Sequence, residues 1–278
     1  MAKIKRNKVR KGSLRKSFKL IWLVVLLLAC SLHVNETVVH KERLGLDIAM
    51  PECACSVNSQ VVRHLGYVVS YNSEKLSANW AAYELTSEEV SGKEPRAGVF
   101  ASDPGVAGRQ PVASDYGESG WDKGHLVPAA DMKWSPMAME ECFYMTNISP
   151  QNKKFNRGVW KSIEGLVRDV AVRYGNVIVV VGPVFTTDDG LGCIGASRVP
   201  VPNAFFKVLL VNNGAYEAVG FYCENVGEKK DLASYAMSVD QIEEITGIDF
   251  FHSLPDGVEE VLENHYDLDV WGLKSKKN

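Results

Sequence analysis

Fourteen residues, Ser119-Gly120-Trp121-Asp122-Lys123-Gly124-His125-Leu126-Val127-Pro128-Ala129-Ala130-Asp131-Met132, gather two carboxylates, a lysine, two glycines and a histidine between apolar side chains. Imidazole exchanges a proton near neutral pH. Glycines let the backbone turn tightly and come close to a ligand. The same composition would also serve a polar turn between two strands. A second run, Thr146 to Trp160, sets Asn147, Gln151, Asn152 and Asn156 ahead of a long amphipathic pattern. Neutral amide oxygens suit a hard cation such as Mg²⁺, which keeps most of its waters and is completed by substrate phosphates. Asn and Gly are equally common in turns and caps. Taken together, the two runs supply what hydrolysis of a phosphodiester requires. A histidine near its ordinary pKa of about 6.5 can act as base toward water, and one cation can steady charge on the phosphate.

Other chemistries are excluded by absence. The chain has no Walker A loop, no strand-borne Gly-x-Gly-x-x-Gly, no Gly-x-Ser-x-Gly elbow and no His-Glu-x-x-His. Of six histidines only His125 lies in a dense polar run; His33 and His40 fall in a linker, and His64, His252 and His265 stand alone as packing or surface residues.

The elements that must position these groups are mixed. Leu65–Tyr71 and Trp80–Thr86 read as strands, and the Gly-, Pro- and Ser-rich residues 87–118 as mostly loop. Ser135-Pro136 opens a short helix to about Cys142, with proline at its first position, and Phe143–Ile148 reads as extended. Val159, Trp160, Ile163, Leu166, Val167, Val170, Ala171 and Tyr174 recur at three- and four-residue spacing. That spacing predicts a helix with one apolar stripe, Asn156 as its cap and Gly175-Asn176 as its stop. Glu164 and Arg168 form an i, i+4 pair at the edge of the stripe. Val177–Gly182 is a continuous buried strand. Ala204–Val211 and Tyr216–Tyr222 form a hairpin around Asn212-Asn213-Gly214. Ser238 caps a helix that ends at Gly247. Without regular βαβ alternation the class is α+β, a mixed or antiparallel sheet core with flanking helices.

Charge is unevenly spread. Residues 1–19 carry nine Lys or Arg and no acid, leaving 22 basic against 34 acidic residues in the remainder of the 278. Nucleic-acid binders are often basic overall, so a polyanion would have to be met by a local patch or a metal. The basic head runs into the apolar stretch Leu20–Leu32, short for a spanning helix and suited to an export signal. Leu27-Leu28-Ala29-Cys30 resembles a lipobox, which would lipidate Cys30. The expected organisation is 1–32 export signal or membrane anchor, 33–60 linker, 61–265 catalytic domain and 266–278 flexible tail. With no Cys-x-x-Cys pair, a structural zinc site has little support. Among Cys53, Cys55, Cys142, Cys193 and Cys223 one or two disulfides are expected in an exported protein, with the pairing open.

The two runs resemble the DNA/RNA non-specific endonucleases, whose site is the ββα-metal (His-Me finger) motif. The family's Asp-Arg-Gly-His followed by Leu, Pro, Ala, Ala and Asp is met by Asp122-Lys123-Gly124-His125 through Asp131. Its second block is met by Asn147, Pro150, Gln151, Asn156 and Trp160. The likeness continues in Gly182-Pro183-Val184-Phe185, Val201-Pro202 with Phe205-Phe206-Lys207, and Thr246 to Phe251, covering roughly 61–255. By this resemblance the activity is Mg²⁺-dependent, sequence-non-specific cleavage of DNA and RNA, with Mn²⁺ as a substitute. His125 is implied as general base and Asn156 as the direct ligand of one metal ion. Glu164 would hold a water of the metal's shell, Arg168 would face the phosphate or its leaving side, and Asn147 would support the site, for instance by orienting the metal–water shell. Asp122 would brace the turn. Lys123 stands where the family has Arg, which keeps the charge and loses the two-pronged grip on phosphate. Family members are often homodimers, though no interface is legible in the sequence.

Two other functions fit the same residues: a phosphodiesterase on a smaller substrate, and a catalytically weak nucleic-acid-binding module on the same fold. For location, a bacterial envelope or secreted enzyme is the first reading and a membrane-anchored organelle nuclease the second.

Overall fold

Long apolar strands buried on both faces build the centre of the molecule. In the computed structural model, which describes residues 47, 49–53, 59–228 and 230–273, the elements in chain order begin with β1 (Glu52–Cys53), β2 (Ser59–Arg63), β3 (Val68–Asn72), β4 (Ser77–Thr86) and α1 (Ser87–Val90). Next come β5 (Asp122–His125), α2 (Pro136–Glu141), β6 (Ile148–Gln151), α3 (Lys153–Phe155), α4 (Lys161–Tyr174) and β7 (Asn176–Val184). The chain continues with β8 (Cys193–Ile194), β9 (Val199–Pro200), β10 (Ala204–Asn212), β11 (Tyr216–Glu224) and β12 (Ala236–Met237). It ends with α5 (Val239–Thr246), β13 (Ile248–Asp249) and α6 (Asp256–Asn264). The expected export signal at 1–32, Cys30 and Cys55 lie outside the described residues.

Seven strands form one sheet in the order β12-β11-β10-β7-β4-β3-β2, and every pairing in it is antiparallel. Side chains alternate across a strand, so β10 sends Phe205, Leu209 and Val211 to one face and Phe206, Val208 and Leu210 to the other. The first face is covered by α4 through Ile163, Leu166, Val167, Val170 and Ala171. The second is covered by α5 and α6 through Ile242 and Leu262. Burying such side chains is worth roughly 1.5–3 kcal/mol each, which fixes both layers against the sheet. The α+β class with an antiparallel sheet and flanking helices is therefore the observed one.

Several local expectations are corrected. Asn156 does not cap a helix: Asn152 does, its side chain accepting from the Lys154 and Phe155 amides. The helical pattern starts at Lys153 and passes through a π-type segment, Asn156–Trp160, where Gly158 leaves helical geometry. Phe143–Ile148 is not extended throughout, since Met145–Asn147 is a 3₁₀ turn. Residues 266–273 are not a flexible tail: Trp271 is fully buried, and Arg173 and Tyr174 donate to the Val270 carbonyl. The 33–60 linker contains β1 and the start of β2. His64 is no lone residue; its Nε2 lies 2.9 Å from Asp103, which also accepts from Thr146. Cys142, Cys193 and Cys223 are free thiols, and burial pushes Cys142 and Cys223 up to about 12.

Candidate active site

A short antiparallel pair and one helix make the site. In β5 and β6, Asp122 pairs with Gln151, Gly124 with Ser149 and His125 with Ile148. Only glycine fits at position 124, because a Cβ there would run into the Gln151 side chain. The pairing is prolonged by the Leu126 amide donating to the Asn147 carbonyl at 3.0 Å. Asn147 is fully buried. Its amide nitrogen donates to the Val127 and Cys142 carbonyls, and its oxygen accepts from the Val127 amide at 2.9 Å. Asn147 therefore holds the turn that follows His125. Its support of the site therefore runs through the backbone of that turn.

His125, Lys123, Asn156, Glu164 and Arg168 line one cleft of about 300 Å³, together with Arg96, Arg157 and Lys161. His125 packs edge-on to Phe143 at 4.8 Å and near Phe100 at 5.7 Å. Its Nε2 is buried with no hydrogen-bond partner among the described residues. Burial, with the Arg96 guanidinium adding to it, pushes the imidazole down to about 3. It is thus neutral at physiological pH, and lies below the ordinary value of about 6.5 expected from sequence. The Trp160 indole N–H donates to the His125 carbonyl at 3.4 Å, tying His125 to the segment that carries Asn156.

Asp122 organises that segment. It accepts from Asn156 Nδ2 at 3.1 Å and takes the Arg157 guanidinium by two nitrogens, at 3.0 and 3.1 Å. The π-type turn brings neighbouring side chains 156 and 157 to one carboxylate; such bulges recur at functional sites. With its nitrogen fixed by Asp122, Asn156 keeps its Oδ1 for an acceptor role in the cleft. No hydrogen bond to that oxygen is found among the described residues. A hard cation takes such an oxygen, and Glu164 adds a carboxylate to the same wall, so the residues present fit a Mg²⁺-type ion. Burial raises Glu164 to about 7, against the pull of Lys207 and Arg168.

Arg168 is set by a buried partner. Its NH1 donates to Asp131 Oδ1 at 2.7 Å, and the Tyr83 hydroxyl donates to the other oxygen at 2.8 Å. Asp131 is fully buried, so this chain of contacts fixes the guanidinium at the cleft wall. Beneath it lies Lys207, also fully buried, with its ammonium 4.7 Å from the Trp160 ring centroid. Lys123 sits over the Phe100 and Tyr116 rings, 5.3 and 5.7 Å from their centroids.

Sequence reasoning missed three residues of the cleft. Arg96 lies in irregular chain, where no periodicity marks it. Arg157 and Lys161 occupy positions where a solvated cation is ordinary. Lys207 was named in the family likeness without a role, although a lysine in the middle of a buried strand is itself a signal, since charged groups are rarely fully buried.

A family model for DNA/RNA non-specific endonucleases matches residues 45–257. Nuclease C1 of Cunninghamella echinulata var. echinulata is 31% identical over 204 residues, covering 68% of this chain and 81% of that protein. Bovine mitochondrial endonuclease G is 32% identical over 206 residues, with 69% of each covered. The mitochondrial nuclease EXOG of Xenopus laevis is 33% identical over 208 residues, and the match spans 58% of its length. Among solved structures, a complex of EndoG with its inhibitor EndoGI superposes with a TM-score of 0.64 at 27% identity, covering 70% of this chain and 86% of that one.

Proposed function

Because the chain belongs to the DNA/RNA non-specific endonuclease family, whose members are nucleic-acid hydrolases, we propose that it cleaves DNA and RNA internally, without sequence preference, using a divalent cation of the Mg²⁺ type. The observation that carries this reading is one cleft lined by His125, by Asn156 with its uncommitted oxygen and by an array of cations. Mn²⁺ would substitute, having the same preference for oxygen ligands.

His125 takes a proton from the attacking water. Burial favours its neutral imidazole, the form that accepts a proton. Asn156 would hold the cation directly, and Glu164 would hold it through its hydration. Bound there, the ion stabilises negative charge on the phosphate and on the departing oxygen. Arg168, fixed by Asp131 and Tyr83, meets the phosphate from the helix side. Lys123, Arg96, Arg157 and Lys161 attract the polyanion along the rim, which lets an otherwise acidic chain bind it locally. Contacts of this kind go to phosphates rather than base edges, so they carry no sequence preference.

The test is incubation of purified protein with supercoiled plasmid and with RNA, with Mg²⁺, with Mn²⁺ and with chelator. Cutting of both polymers that requires the cation and falls with His125→Ala is the expected result. The reading fails if neither polymer is cut with either cation, or if His125→Ala leaves cleavage unchanged. We place the enzyme outside the cytoplasm on the strength of the basic, then apolar, first 32 residues. The mass of the mature N-terminus separates a lipidated Cys30 from free cleavage and from an uncleaved anchor.

A further inference from the structure

On the sheet face opposite α4, two helices converge on a second acidic group. Asp240 and Glu243 stand three residues apart on α5 and so share a side, while Glu263 comes from the last turn of α6. One oxygen of each lies within 4.8 Å of the others. Glu263 is only 6% exposed, and its Oε1 is buried with no hydrogen-bond partner among the described residues. Glu243 is held in place by the Phe250 amide, which donates to its Oε1 at 2.7 Å. The charged neighbours that act most strongly on Glu243 and Glu263 are Asp240, Asp249, Glu259 and each other, and all are acids. Burial of carboxylates without compensation is costly. Leu273, where the described chain ends ahead of its basic last residues, packs on the other face of the sheet with α4.

We propose that Asp240, Glu243 and Glu263 form a divalent-cation site of the calcium class, separate from the cleft, which ties α5 to α6. Three carboxylate oxygens within 4.8 Å of one another can close on one hard cation. The longer bonds and looser geometry of Ca²⁺ suit a group drawn from two separate helices better than the near-ideal octahedron that Mg²⁺ demands. Carboxylates suit a hard cation, and waters complete the six to eight ligands calcium takes. The site does not depend on the nuclease reading.

The experiment is thermal unfolding of full-length Asn156→Ala protein, in which the cleft's own cation site is disabled, with chelator and then with Ca²⁺ alone. A hundredfold excess over the dissociation constant should raise Tm by roughly 5–10 °C, and calorimetry should count one ion per chain. Adding Glu263→Gln should abolish the rise while leaving the metal-free Tm no lower, because it removes a like charge and keeps the shape. Asp240→Asn, at the outer side of the group, should weaken Ca²⁺ binding at least tenfold. The proposal is overturned if Ca²⁺ leaves Tm unchanged in the Asn156→Ala protein, or if the rise persists in Glu263→Gln.

Discussion

The cleft over β5 and β6 and the carboxylate group between α5 and α6 both bury acids, and they treat them in opposite ways. Beside the cleft two acids have a cation and a donor each: Asp122 takes Asn156 and Arg157, and Asp131 takes Arg168 and the Tyr83 hydroxyl, while Glu164 alone faces the cleft without such a partner among the described residues. Across the sheet, Asp240, Glu243 and Glu263 face one another, with Asp249 and Glu259 adding to the repulsion. Paired charges can be spent on holding geometry, as Asp131 does for Arg168. Unpaired like charges hold nothing by themselves and favour whatever positive charge arrives. A chain that is acidic beyond its first 19 residues can therefore present a locally cationic cleft on one side and an anionic group on the other.

The sharpest way to break the comparison is to remove the ligand from the cleft. Asn156→Ala should lower cleavage of plasmid by about 10²-fold or more, on the scale known for disturbing a metal's immediate environment, while folding is kept because Asp122 still holds Arg157. Steady-state cleavage at several Mg²⁺ concentrations checks it, and unchanged kinetics would remove Asn156 from the site. Next in size is the pairing of Asp131. Asp131→Ala leaves Arg168 and the Tyr83 hydroxyl without their buried partner and should destabilise the protein by about 3–5 kcal/mol, read by urea unfolding. By contrast Glu263→Gln, across the sheet, should cost no metal-free stability.

A smaller effect follows from the neutral imidazole. His125 is held at about 3 in the folded chain and near 6.5 in the unfolded one. As pH falls through that window the unfolded chain takes up the proton first, so its share of stability is present above about pH 6.5 and is lost toward pH 3. His125→Asn should flatten that part of the stability-versus-pH curve in metal-free protein; a curve of unchanged slope would contradict the buried placement. Smallest of all is Lys123→Arg. It keeps the charge and adds a forked donor, so the cleavage rate should move by less than about tenfold, upward, with a weaker salt dependence. Identical kinetics and salt profile would show that Lys123 does not meet the phosphate.

What the sequence revealed follows from how long each pattern is. The β10–β11 hairpin and the helix between Ser238 and Gly247 were legible because nine-residue apolar runs, a capping box and a left-handed glycine are strong local signals. The pairing of β5 with β6 was not, since Asp122–His125 is four mostly polar residues whose partner lies twenty-odd residues on. Asn156 looked like a cap because asparagine before an apolar stripe usually is one; Asn152 took that place once the π-type turn lengthened the helical path. Asn147 was named for support of the site, and the way it gives that support, by bonding the backbone of the turn after His125, depends on tertiary contacts. Arg96 and the buried end at Trp271 depend on tertiary contacts that leave no local trace. His125, Asn156, Glu164 and Arg168, which line one cleft, could be named from sequence because the family motif's spacing and the helical period mark them independently of those contacts.

The central claim is that His125 is the base, and chemical rescue addresses it most directly. His125→Gly should reduce cleavage of supercoiled plasmid by about 10²–10⁴-fold, and added imidazole should restore part of the rate in proportion to its concentration while leaving the original enzyme unaffected. A His125→Gly protein that is folded, binds the cation and cuts at the original rate without imidazole would contradict the account.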